Sequence, residues 1–99
     1  MNFNRNIKMP NITVALTDTQ NKCMEYAAAS VQVWADNALH NRARLGQEEI
    51  IAALVAHCNE NDIAIATGAE AQVTQAFELG VVKTAAKRNE EALANSLPE

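Results

Sequence analysis

A mainly α-helical fold, a small bundle of three to four helices with an extended N-terminal arm, is what this 99-residue sequence predicts. Three observations lead there. Alanine supplies 19 residues against 20 for Val, Ile and Leu together. It favours helices and buries little area, so the core should be shallow. Three Gly and two Pro are too few for a turn-rich β-sandwich or a disordered linker. From Thr17 onward, apolar residues recur mostly at helical spacing. A two-stranded ribbon is the one β element the pattern would also admit.

The length is that of one domain. Eight Lys plus Arg against 12 Asp plus Glu leave a net charge of −4, which argues against a dedicated nucleic-acid binder. No apolar run approaches the ~18 residues of a membrane span, and the polar start, Met1 to Lys8, lacks a signal peptide's apolar stretch. We therefore expect neither membrane nor nucleic acid as a partner.

Residues 1–11 form the arm. They carry four Asn and one Pro and show neither the helical nor the strand period. Phe3, Ile7 and Met9 are spaced along it with Arg5 and Lys8 between them, the arrangement of a segment that orders in a groove or on a sheet edge of a neighbouring subunit. Phe3, Arg5, Ile7 and Met9 are accordingly candidate interface residues. A single helical domain then spans 12–95, with 96–99 as a tail.

Ile12, Val14 and Leu16 alternate with Thr13 and Ala15, the period of a short half-buried strand. Thr17-Asp18-Thr19-Gln20 fits a capping box and opens a first helix to about Ala29, with Cys23, Tyr26, Ala27 and Met24 inward. Ser30 is the next N-cap. Val31, Trp34, Ala35, Ala38 and Leu45 fall on one side of the helix that follows, at roughly 100° per residue. Continued onward, the same helix puts Ile50, Ile51, Leu54, Val55 and Cys58 on nearly the opposite side. Either the helix breaks near Gly46, or one long helix touches different neighbours with each half. Gly46 followed by Gln47-Glu48-Glu49 favours the break.

Ile63-Ala64-Ile65-Ala66 either pairs with 12–16 in the ribbon or forms an apolar loop. Thr67-Gly68-Ala69-Glu70 reads as a second capping box, opening a last helix from about Gly68 to Ala94. That helix has two apolar stripes, one with Val73, Ala76, Phe77, Gly80, Val81 and Thr84, the other with Leu79, Val82, Ala86 and Leu93. Two stripes mean burial on both sides. Leu79, Val82 and Leu93 are therefore candidate interface residues, and Trp34, Leu45, Leu54, Val73 and Phe77 candidate core residues.

Catalytic and metal-binding readings find little support. Asp36, His40 and Arg44 share a helix face, but no nucleophile stands at a spacing that joins them, so a solvated charged face is expected. Cys23, His57 and Cys58 make no zinc spacing, and both thiols read as buried and reduced, in keeping with intracellular synthesis. Lys83, Lys87 and Arg88 precede Glu90 and Glu91 and read as a mixed-charge face. No glycine-rich phosphate loop occurs. The expectations are no catalytic residues, no cofactor and no metal.

One resemblance adds to this reading. The run Ile12 to Gln20 followed by Tyr26, then Trp34-Ala35-Asp36-Asn37-Ala38 with Arg42-Ala43, resembles short α-helical proteins of tailed bacteriophages. Glu48-Glu49-Ile50-Ile51 and Val82-Lys83-Thr84-Ala85 are similar to later segments of the same group, so the likeness spans about residues 12–88. It implies a structural subunit of the virion, in a tail, baseplate or neck, made in the host cytoplasm. Its partners would be other phage structural proteins, in a homo- or hetero-oligomer. The alternative is a small intracellular phage protein that regulates or takes over a host factor by binding. An enzyme is the reading with least behind it.

Overall fold

A computed structural model of the chain describes residues 9–96. Four helices account for most of them: α1 (Asp18–Ala27), α2 (Val31–Asn61), α3 (Ala69–Glu78) and α4 (Ala85–Ser96). The mainly helical class holds. Among the described residues there is no strand, and the ribbon does not form. The chain divides into two units, one reaching to Asp36 and one running from Asn37.

In the N-terminal unit the capping box is complete. The Thr17 hydroxyl accepts the Gln20 N–H at 3.1 Å, and the Gln20 side-chain oxygen accepts the Thr17 N–H at 2.9 Å. Two of the four orphan donors of α1 are thus engaged locally. The helix ends two residues before the expected Ala29. Ala28 is extended, and its N–H closes on the Met24 carbonyl at 2.8 Å. Ser30 explains the early stop, because its hydroxyl caps α2 through the Val33 N–H at 3.2 Å. An N-cap needs non-helical backbone, so the alanine run cannot carry α1 into α2. No residue of α1 is buried. Cys23, Tyr26 and Ala27, expected inward, are exposed, and only Met24 is half-buried.

The expected break at Gly46 is absent, and α2 continues for 31 residues. A helical glycine costs roughly 0.5–1 kcal/mol, which one turn of side-chain bonding helps offset. Arg44 donates to Asn41 at 2.8 Å and pairs with Glu48 at 2.7 Å, a bridge that straddles Gly46. The helix ends at Asn61; Asp62 beyond it is left-handed at φ 55°, and the Ile63 N–H reaches back to the Cys58 carbonyl at 3.0 Å. That is the longer bond of a Schellman motif, with Ile63 as its apolar partner.

The core lies in the C-terminal unit. Leu54, Cys58 and Ala76 are buried, with Ile50, Ile63, Ile65 and Val82 packed around them. Leu54 and Cys58 stand one turn apart on α2, and Ala76 presents the middle of α3.

Ile63 to Ala66 runs without a partner strand, yet the backbone of Ala64 and Ala66 is hydrogen-bonded. The Gln75 side chain donates to the Ala64 carbonyl and accepts the Ala66 N–H, both at 2.8 Å, and Gln72 donates to the Ala66 carbonyl at 2.9 Å. One primary amide thus bonds alternate residues as a neighbouring strand would. The alternation in the sequence is real, but side chains of α3 satisfy it.

Thr67 is not the cap of α3. Gly68 takes that position at φ 94° with no side-chain cap bond, a conformation in which a Cβ is strained.

The expected last helix is two helices. Gly80 sits at φ 73°, the Gly80 N–H bonds the Phe77 carbonyl at 3.1 Å, and the Val81 N–H bonds the Ala76 carbonyl at 2.9 Å. Both bonds of a Schellman stop are present, with glycine at its left-handed position. Thr84 then caps α4 through the Lys87 N–H at 3.1 Å. The two-stripe reading of residues 68–94 falls with this break.

Candidate interaction surface

What the core leaves out defines the surface. In the N-terminal unit no described residue is buried. Ile12, Val14, Val33 and Trp34 are more than half exposed, and Tyr26 is 95% exposed. Leu16 and Met9 are also exposed, while Phe3, Arg5 and Ile7 lie outside the described residues. Trp34, expected as a core anchor, is 53% exposed. The stripe that contains it is indeed a helix face, but no described residue of its unit forms a core to receive it.

In the C-terminal unit the sequence-derived residues separate. Leu54 is fully buried and Val73 half-buried. Leu45 and Phe77 are exposed at the margin rather than in the core. Ala76 takes the inner position of α3, and Phe77, one residue and about 100° on, turns away from it. Leu79 and Leu93, the other two candidate interface residues of this unit, are exposed. Val82 is not among them, because the Gly80 stop folds it back onto the Leu54 core.

The outer face of α2 is a separate feature. Ala38, Arg42, Leu45, Glu49, Ala52 and Ala56 are all exposed, and their spacing alternates between four and three residues. Ile50, Leu54 and Cys58 point the other way, to the core. In the sequence this stripe stops at Leu45, because Gly46 reads there as a helix end.

Among the described residues, several of the chemistry-bearing groups singled out in the sequence are engaged with other partners. Asp36 accepts from Gln32 at 2.8 Å and Arg44 is held by Asn41 and Glu48, so both ends of the Asp36-His40-Arg44 row are engaged elsewhere. Lys83 pairs with Glu91 at 2.9 Å, and Arg88 donates to the Lys83 carbonyl at 2.6 Å. These exposed contacts are worth about 0–1 kcal/mol each. Cys58 is buried and free, whereas Cys23, expected to be buried, is exposed. Among the described residues no three His, Cys, Asp or Glu side chains are placed to hold a metal, and no helix is long and apolar enough to cross a membrane. An open concavity along α3 is lined by Thr67, Glu70, Thr74 and Glu78, and no hydrogen bond joins a hydroxyl to a carboxylate among these four side chains.

No family model matches the chain, and no curated protein or solved structure matches it.

Sequence reasoning missed Gln75, Thr84 and the outer half of α2. Gln72 and Gln75 were legible as two amides in the first turns of a helix after an alternating segment. Thr84 was legible as a hydroxyl residue three positions before Lys87, hidden by the helix drawn through Gly80.

Proposed function

We propose that this chain is a non-enzymatic structural component of a tailed-phage virion, a tail, baseplate or neck subunit made in the host cytoplasm. Other structural proteins would cover the apolar side chains it leaves open. The observation that carries the reading is the N-terminal unit, where Ile12, Val14, Tyr26, Val33 and Trp34 are exposed and no described residue is buried. A segment with that much open apolar surface, and no core among its described residues, suits contact with another chain. The phage setting comes from the resemblance over residues 12–20, 34–38 and 42–43.

Mass spectrometry of purified particles tests it. The chain should be present at a fixed copy number relative to the major structural proteins. Absence from particles, together with abundance in infected cells, would overturn the virion reading in favour of an intracellular binding protein.

A further inference from the structure

The outer face of α2 carries a pattern that the core does not use. Ala38, Arg42, Leu45, Glu49, Ala52 and Ala56 follow at intervals of four, three, four, three and four, the repeat by which a helix keeps one seam toward a partner helix. All six are exposed, on a helix that runs unbroken through them. Four are Ala or Leu, and Leu39, Gly46 and Ala53 line one flank. Small side chains there permit a close helix–helix approach, near the lower end of the usual 8–10 Å.

The two charges in the seam select the occupant. Arg42 and Glu49 are seven residues apart, about 10 Å along the axis, and among the described residues neither has an ion-pair partner. A charge left in an apolar seam is costly unless it meets its opposite. A parallel second copy would set Arg42 against Arg42 and Glu49 against Glu49. An antiparallel second copy does the reverse.

We propose that this face docks a second copy of the chain, α2 against α2 in antiparallel orientation about a two-fold axis level with Gln47. Each half of the dimer then stacks Ala38 on Ala56, Arg42 on Ala52 and Leu45 on Glu49. Ala52 leaves room for the arginine. Arg42 also lies back over Gly46, its Nη1 being 3.9 Å from where a Cβ on that glycine would stand. That brings the guanidinium to within about one residue's rise, ~1.5 Å along the axis, of the level of the second copy's Glu49. The two-fold makes the pairing twice over, as a self-complementary interface requires.

The experiment is analytical ultracentrifugation of the full chain and its variants, with circular dichroism to confirm unchanged helicity. The wild type should dimerise reversibly. Arg42→Glu and Glu49→Arg should each weaken the dimer at least about tenfold, since each sets like charges face to face. The double variant should restore it. Ala56→Lys, an exposed change at the end of the seam, should also weaken it. A wild type that stays monomeric at the highest attainable concentration overturns the proposal and leaves the face to another chain. A dimer indifferent to Arg42→Glu and Glu49→Arg, or one that the double variant fails to restore, overturns it too. Solution dimerisation and presence in particles are separate readouts, so either reading can fail without the other.

Discussion

Trp34 and Leu54 sit on the same helix and invert the usual ranking of side chains by size. The indole is the larger group, but with 53% of the residue open it has less area to lose. Trp34→Ala should cost the isolated protein less than about 1 kcal/mol, against ~3–5 for a buried tryptophan. Leu54 is fully buried among Cys58, Ala76 and the flanking isoleucines, and Leu54→Ala should cost about 2–5 kcal/mol. Thermal melts of the two variants decide the order. Trp34→Ala should instead lower incorporation into particles, because its open face is what a neighbouring subunit would cover. A Trp34 variant that melts as early as the Leu54 variant would return the indole to the core.

At the scale of the element, two glycines behave oppositely and one substitution separates them. Gly46 lies inside α2, where an added Cβ meets nothing nearer than Arg42 Nη1 at 3.9 Å. Gly46→Ala should therefore stabilise by roughly 0.5–1 kcal/mol. Gly80 is at φ 73° in the stop between α3 and α4, and Gly80→Ala should destabilise by about 1–2 kcal/mol. Denaturant midpoints should move in opposite directions. A shift of the same sign in both would contradict a continuous α2 or a stop at Gly80.

The pair also shows what could be read in the sequence. Acidic residues after Gly46 resembled a new first turn, but no Ser, Thr, Asp or Asn precedes them to cap it, so propagation won. After Gly80 comes Val82, which packs on the core, then Thr84 as a ready cap. Local residues held that signal, and only the apparent continuity of the apolar stripe hid it. The capping box at Thr17 and the cap at Ser30 were legible because both are satisfied within four residues. The exposure of Trp34 was not, because a helical stripe tells which residues share a face and nothing about whether anything covers it.

Across the whole molecule, the fully buried side chains among the described residues, and the apolar ones packed on them, lie between Ile50 and Val82. The alanine-rich composition made a shallow core legible from the start, but not its confinement to one unit. Opening free energies should follow the same division. Limited proteolysis should cut within residues 9–36 well before it cuts within 50–82, as mass spectrometry of early fragments would reveal. Cleavage in the opposite order would mean that the N-terminal unit has support not accounted for by its described contacts.

The Gln75 amide that bridges Ala64 and Ala66 ties a loop to a helix. Amide hydrogens in loops ordinarily trade with solvent deuterium through small local fluctuations, long before the helices beside them open. The Ala66 hydrogen is held by a side chain rooted in α3 and cannot be released by loop motion while that bond stands. Its exchange should therefore keep time with the amides of α3. In the Gln75→Ala variant it should revert to the fast rate of an ordinary surface loop, so one amide signal reports whether α3 is closed.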